Sequence, residues 1–334
     1  MVLIKEGTTF LHVPIFLKRE GPGKKSGEVF FNSAMAFNRD IAVLSMAVLR
    51  PGSFLDGMAA TGAMGVRVGN ESLCGNAMRL RLNDPYLKAI RYMVANSRIN
   101  GLDAEISCLN ISKIDEKFDH VDIDPFGSPA PYFNSISLVR RSVSLTATDA
   151  PVLCGLYPKK CLLRYGARNI EKGPQRKELG LRILVARSVM EGKRLGLNLH
   201  PVLSFYMGHY FRAFLVKGKS ADVQVDAVEG IGPIWNGPLH DAKVVEKMIA
   251  KSEGLTLEDK GVTKFLKICM EEARVKATSF YYIDELSSLM RTSAPKMDVI
   301  LDELISSGFP SSRTHFDPKG LRTEATIEDI KKIL

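Results

Sequence analysis

Two carboxylates and a phenyl ring crowd the stretch Val121-Asp122-Ile123-Asp124-Pro125-Phe126-Gly127-Ser128-Pro129. A short apolar run that carries acids and stops at Asp-Pro-Phe-Gly has the form of a buried parallel strand. Its C-terminal end would present a carboxylate and an aromatic ring, and ligands of open α/β sheets bind at such ends. The plainer reading is a strand running into a Pro-Gly turn, with Asp124 capping the next segment.

A second constellation lies upstream. Residues Ser53-Phe54-Leu55-Asp56-Gly57-Met58-Ala59-Ala60-Thr61-Gly62-Ala63-Met64-Gly65-Val66-Arg67 read as strand, small-residue loop and helix. Small side chains let a ligand approach the backbone, and a helix N-terminus offers free N–H donors. No Gly-Lys-Ser/Thr comes after it, so the loop is not a P-loop, and it lacks the G-x-G-x-x-G register of dinucleotide sites. About 20 residues on, a strand at 77–82 ends in Asn83-Asp84. An acid at that distance receives both ribose hydroxyls of an adenosine ligand, since a carboxylate accepts two hydrogen bonds. Asp84 is also placed to cap a helix over 85–100, with Pro85 at the favoured first position. The combination suits an adenosine cofactor without a pyrophosphate cradle, and S-adenosylmethionine fits it better than NAD.

The elements that must hold these residues keep a strand–helix rhythm. Further strands are expected at 104–109, ending at Asn110, and at 143–148, ending at Asp149; a helix is expected over 33–49, with Arg39 in its first turns. This alternation implies a parallel, doubly wound α/β sheet. Segments 201–205 and 210–216 read as paired strands at its edge. A Gly-rich, irregular stretch at 218–237 marks a domain boundary. Beyond it the chain is mainly helical, ending in a helix–turn–helix over 283–306 and a hairpin wing around 317–320.

Composition narrows the function. The 334 residues are 45% hydrophobic and 25% charged, as in a soluble globular protein of two domains. No stretch has the length and apolarity of a membrane span and no signal peptide is evident, so a cytoplasmic location is expected. Five cysteines without a C-x-x-C pair argue against a disulfide framework or zinc ribbon; no metal site is expected. The net charge is +9, and residues 155–220 alone carry fourteen Lys or Arg against three acids. A local excess of that kind is the footprint of a polyanion partner. From Lys276 on, eight basic residues meet nine acids, a weak balance for a duplex-reading module. In the N-terminal part, Phe30 and Phe31 come after a basic, glycine-bearing loop at 18–27. One such ring could stack on a base while the other pins the core.

Several stretches together resemble the archaeal and eukaryotic tRNA (guanine-26) N2,N2-dimethyltransferase family. They are Val29-Phe30-Phe31-Asn32, Met35 with Asn38-Arg39-Asp40, Ala60-Thr61-Gly62, the Asp122 to Pro129 run, Thr146-Ala147-Thr148-Asp149 and His209-Tyr210-Phe211-Arg212-Ala213-Phe214. In the second half come Gly232-Pro233-Ile234-Trp235, Gly237-Pro238-Leu239 and Ser312-Arg313-Thr314-His315-Phe316. The resemblance implies a class I methyltransferase domain (Rossmann-like) using S-adenosylmethionine, over 1–222 with its N-terminal extension. A family-specific α+β C-terminal domain with a winged-helix-like unit would occupy 223–334. It implies Asp124 as catalytic carboxylate and Phe30 and Phe126 as brackets of a flipped guanine. Arg39, Asp56, Thr61, Gly62, Asp84, Asn110 and Ile111 match cofactor-site positions. This chain departs from the family at Met64, where an arginine is common, and at Asn110-Ile111, where an Asp-Ala pair is usual. The Cys-rich metal insertion of some members is absent.

The expected chemistry is transfer of methyl groups to the exocyclic N2 of guanine 26 in tRNA, giving N2-methyl- and N2,N2-dimethylguanosine. That nitrogen is a poor nucleophile because its lone pair is delocalised. A carboxylate at Asp124 accepting its N–H bonds, with the Pro125 carbonyl on the second, favours pyramidalisation and can take the proton. The rivals are an amino-methyltransferase on another RNA or DNA and a tRNA-binding folding factor with weak chemistry. The partner expected is tRNA, with no membrane and no stable protein partner.

Overall fold

The computed structural model describes residues 1–15, 29–72, 78–218 and 224–334; the basic loop 18–27, Cys74 and Lys219 lie outside the described residues. The chain opens with an antiparallel hairpin, β1 (Val2–Glu6) and β2 (Thr9–Val13), turned at Gly7. A single 3-10 turn then leads into α1 (Ala36–Leu49), buried along nearly its whole length. The alternation comes next: β3 (Ser53–Asp56), α2 (Ala63–Glu71), β4 (Arg79–Asn83), α3 (Ala89–Ile99), β5 (Ala104–Ser107), β6 (Phe118–Ile123) and β7 (Val139–Ala147). A 3-10 segment, Ala130–Leu138, links the last two. After α4 (Ala150–Leu153), α5 (Pro158–Tyr165) and α6 (Arg176–Arg194), β8 (Leu199–Met207) and β9 (Tyr210–Lys217) return to the sheet.

These strands form one seven-stranded sheet in the order β5-β4-β3-β6-β7-β9-β8. Strand β9 runs antiparallel to both its neighbours, β7 and β8, and the other six strands, β8 included, run parallel to one another. The strand order reverses between β3 and β6, which is where such sheets open a crevice for ligands. Side chains alternate across the pleat, so Phe54 enters the core layer of α1–α3 and its neighbour Leu55 the layer of α4–α6. The helix expected from Pro85 begins instead at Ala89, because Asp84 turns the chain by accepting the Tyr86 N–H at 2.8 Å.

Within the stretch read as irregular there is a small hairpin, β10 (Val225–Val228) with β11 (Gly232–Trp235). Gly230 and Gly232 take positive φ at its turn, which masked the strands in the sequence. Next come α7 (Ala242–Ser252) and α8 (Val262–Glu272), whose Val245, Met248, Val262, Phe265 and Leu266 join the core layer of α1. The chain ends with β12 (Tyr281–Tyr282), α9 (Ile283–Met290), α10 (Met297–Ser306), β13 (Ser311–Arg313), β14 (Gly320–Thr323) and α11 (Ile327–Lys331). The three strands pair in the order β12-β14-β13, over a small core of Ile283, Ile300, Leu304, Leu321 and Ile330. Among the described residues no helix is long and apolar enough to cross a membrane.

Candidate active site

The reversal point sets two carboxylates side by side, for Asp56 of β3 and Asp122 of β6 are partners in register. From there the loop 57–62 crosses the ends of the neighbouring strands and is tied to each. Gly57 N–H donates to the Asp122 carbonyl at 3.0 Å, Ala59 N–H to the Asn83 carbonyl at 2.8 Å, and Ala60 N–H to Asp84 Oδ2 at 2.8 Å. Gly57 must lack a side chain: a Cβ there would stand 2.3 Å from Ile111 and 2.9 Å from the Asp122 carbonyl. Asn83 clamps this end of the sheet. Its amide donates to the carbonyls of Gly57 and Leu109, and its oxygen accepts from Leu109 N–H and Ser107 Oγ.

Most of the residues expected to hold a cofactor gather here. Gly62, at φ +78°, heads α2, and Asp56 Oδ2 accepts the Gly65 N–H at 3.0 Å. Thr61 is buried, its carbonyl receiving Asn96 Nδ2 at 2.9 Å. Asp84 uses one lone pair on each oxygen for backbone, leaving the others for a ligand. Asn110 is exposed and spends Oδ1 on the Ser112 N–H. The Ile111 side chain is only 1% exposed, packed against Gly57, so its backbone is what it can offer a ligand.

Arg39 is committed elsewhere. Its Nε and Nη2 hold Glu6 of the N-terminal hairpin at 2.6 and 2.7 Å, and Nη2 also donates to the Asn32 carbonyl at 3.1 Å. Only Nη1 is left outside these bonds. Through Asn32 this pairing fixes the backbone beside Phe30 and Phe31. Phe31 lies under the Arg39 guanidinium and against the core, whereas Phe30 meets Phe126 edge to face with centroids 4.4 Å apart.

At the end of β6 the two acids diverge. Asp122 is sealed in the sheet, where Oδ1 accepts from Arg212 Nη2 at 2.6 Å and from Ser144 Oγ. Arg212 also donates to Thr146 Oγ1 at 2.5 Å and lies over the Phe214 ring. Beneath them His120 bridges Ser142 and Ser144, its pKa pushed down to about 3 by burial and by Arg212, so it stays neutral. Asp124, one pleat further, is half-buried and faces the crevice. Burial pushes its pKa up to about 6 and the Asp122 charge adds to this, while Arg212, Thr146 and Arg39 pull it down. Pro125 is buried behind it and Phe126 is 51% exposed. Gly127, at φ +82°, turns the loop back, its N–H on Thr148 Oγ1 at 2.7 Å. Ser128 meets the Tyr165 hydroxyl at 2.7 Å, which donates to Asp149, itself paired with Arg164.

Asp56, Asp84 and Asp124 thus line one crevice, with Asp122 sealed in the sheet behind them. The Asp56 carboxyl is held well above the usual range by burial first and then by Asp122, Asp124 and Asp84; burial also raises that of Asp84. A crevice of this sign repels a pyrophosphate and attracts a cation. It suits a cationic adenosyl ligand with a ribose diol.

A family model described as N2,N2-dimethylguanosine tRNA methyltransferase matches residues 18–230 and 223–334. The chain belongs to this methyltransferase family. The tRNA (guanine(26)-N(2))-dimethyltransferase of Thermococcus kodakarensis is 31% identical over 100% of this chain and 99% of that protein. That of Methanothermobacter thermautotrophicus is 31% identical over 100% and 98%. The solved structure of Trm1 from Pyrococcus horikoshii with S-adenosyl-L-methionine superposes with a TM-score of 0.86 at 28% identity, covering 100% of this chain and 99% of that one.

For a member of this methyltransferase family, the Met64 departure has a visible outcome. Met64 packs into the core, and Arg67 one turn on supplies no replacement cation to the loop. Arg67 is fully buried among Glu6, Asp40 and Glu71, at 3.0, 2.7 and 2.7 Å. Three residues that shape the site were given no role in it from the sequence: Glu6, Asn83 and Arg212. Only Arg212 had a signal, a lone cation inside the strongly apolar His209 to Phe214 run.

Proposed function

We propose that this methyltransferase dimethylates N2 of guanine 26 in tRNA, with S-adenosylmethionine as methyl donor. The observation that carries the reading is Asp124: a half-buried carboxylate with its pKa raised to about 6, beside the Phe30–Phe126 pair. Asp84 would hold the ribose hydroxyls, Asn110 and Ile111 the adenine edge, and the loop at Asp56, Thr61 and Gly62 the rest of the cofactor. Arg39 would act from the rim through Nη1. When bound, the cofactor supplies an electrophilic methyl group on a sulfonium.

Asp124 accepts an N–H of the guanine amine and takes its proton as the nitrogen becomes nucleophilic. The Pro125 carbonyl holds the second N–H. After one transfer an N–H remains, so the same carboxylate serves a second round. A base inside an RNA stack cannot reach Asp124, so it must be extruded and gripped by the two phenyl rings. Stacking is worth about 1–3 kcal/mol per base, comparable to the cost of unstacking.

The polyanion would lie along 156–176. There Lys159, Lys160, Arg168, Lys172 and Arg176 are exposed, and the Ser128–Tyr165 bond ties this segment to the Phe126 loop. Not all the basic excess is available: Arg212 is spent on Asp122, and Arg182 on Glu178 and the carbonyls of Trp235 and Gly237. The test is mass spectrometry of nucleosides from a tRNA transcript, alongside one in which guanine 26 is replaced by adenine. Dimethylguanosine from the first and none from the second is expected; methylation of both transcripts would overturn the assigned position.

A further inference from the structure

Away from the strand ends, four metal-ligating side chains converge from three segments of the second half. His240 lies after β11 and bridges to Leu203 of β8. Cys269 and Glu272 stand three residues apart on α8, on one face of the helix. His315 lies just past β13. One ligand atom from each lies within 4.8 Å of all the others. The side chains of His240, Glu272 and His315 are 1–2% exposed and Cys269 is fully buried.

The cluster is poised but not satisfied from within. Glu272 Oε1 is fixed from behind by the Thr314 hydroxyl at 2.6 Å and Arg322 Nε at 3.2 Å. Its Oε2 points at the imidazoles, 2.5 Å from His315 Nδ1 and 3.4 Å from His240 Nε2. Yet among the described residues neither His240 nitrogen has a hydrogen-bond partner, nor has His315 Nε2. Buried imidazole nitrogens without partners are costly, and a carboxylate oriented through its other oxygen is how metal ligands are held.

We propose that His240, Cys269, Glu272 and His315 bind a divalent transition-metal ion of the zinc class. Two imidazoles, a thiol and one carboxylate are a borderline-soft donor set, suited to zinc rather than magnesium or calcium. Zinc bonds of about 2.0–2.3 Å place tetrahedral ligand atoms roughly 3.3–3.8 Å apart, so closing the cluster takes a contraction of about an ångström. Binding releases the thiol proton, and the thiolate and carboxylate then balance the ion's charge. Four protein ligands leave no open position, which makes the site structural. The ion would pin α8, the segment after β11 and the β13–β14 hairpin together at the edge of the large sheet. Sequence spacing conceals the set, because only Cys269 and Glu272 are neighbours in the chain.

The experiment measures metal by mass spectrometry on the full chain purified without chelator, and then the visible spectrum after cobalt replacement. One zinc per chain is expected, with a tetrahedral cobalt spectrum and a thiolate-to-cobalt band that Cys269→Ser removes. Adding zinc to chelator-treated protein should raise its Tm. A wild-type chain that retains no zinc after reconstitution and gives only an octahedral cobalt spectrum overturns the proposal. So does zinc that survives both Cys269→Ser and His315→Gln. If those variants do not fold, the wild-type cobalt spectrum still decides. None of these readouts depends on methyl transfer.

Discussion

Arg212 donates to Asp122 at 2.6 Å, and among the described residues no guanidinium bonds to Asp124, two residues on. One acid is thereby tied into the sheet, and the other is left to titrate near neutrality. With the Asp124 pKa at about 6, its carboxylate form is the one that accepts an amine N–H. Methylation should therefore rise with pH through about 6 and level off above it. At pH 5 only about a tenth of Asp124 is ionised, so kcat/KM should fall about tenfold from its plateau. Asp124→Asn should lose about 10²–10⁴ in rate while still binding tRNA and S-adenosylmethionine. Single-turnover methylation across a pH series checks both, and near-normal turnover by the Asn variant would sink the assignment.

Removing Arg212 should act on stability and on titration separately. Arg212→Met strands Asp122 in the sheet, a loss of about 3–5 kcal/mol for a broken buried pair. Adding Asp122→Asn removes the stranded charge and should restore part of that stability, read as the denaturation midpoint. Arg212 also holds the Asp124 pKa down, so its loss shifts the acid limb of the rate profile to higher pH. Recovery of stability in the double variant, without recovery of full rate at pH 6, distinguishes the two effects.

The Phe30–Phe126 contact has to open for a base to enter. Because Phe126 is half exposed, Phe126→Ala should cost little stability. It should weaken productive tRNA binding by about 5- to 150-fold, the equivalent of one stacked base. If the rings grip the base together, the loss in the Phe30→Ala, Phe126→Ala double variant is smaller than the product of the single losses. Strict additivity in kcat/KM for tRNA would show that they act independently.

How much of the fold and site was legible depended on whether a residue's partner is local. Asp56, Asp84 and Asp124 each end an apolar run, so their places at strand ends could be read from periodicity alone. The Ser53 to Arg67 stretch announced its loop because glycine and alanine are what a close backbone approach requires. Arg212, by contrast, is an ordinary strand cation until β9 is laid against β7, 90 residues after Asp122. Arg39 looked like a site residue because it matches a cofactor-site position of the family the chain resembles. Its carboxylate partner, Glu6, sits 33 residues earlier in the N-terminal hairpin. Charge counting over 155–220 likewise included Arg182 and Arg212, which the fold turns inward.

Asp84 carries two tasks that a single substitution can separate. Its Oδ2 holds the N–H of Ala60, a non-glycine residue at φ +50°. A left-handed backbone of that kind is strained and persists only where its surroundings enforce it. Its remaining lone pairs are the acceptors available for a ribose diol. Asp84→Ala should lose both functions, lowering Tm and weakening S-adenosylmethionine together. Asp84→Asn keeps one acceptor oxygen and replaces the other with a donor, so it holds one backbone N–H and one hydroxyl but cannot accept both hydroxyls of the diol. Wild-type protein should bind S-adenosylmethionine at least about tenfold more tightly than its 2′-deoxy analogue, as expected when a buried acceptor loses its hydroxyl. The Asn variant should bind the two nearly equally. Titration calorimetry with both ligands checks this, and an unchanged preference in the Asn variant would restrict Asp84 to holding the loop.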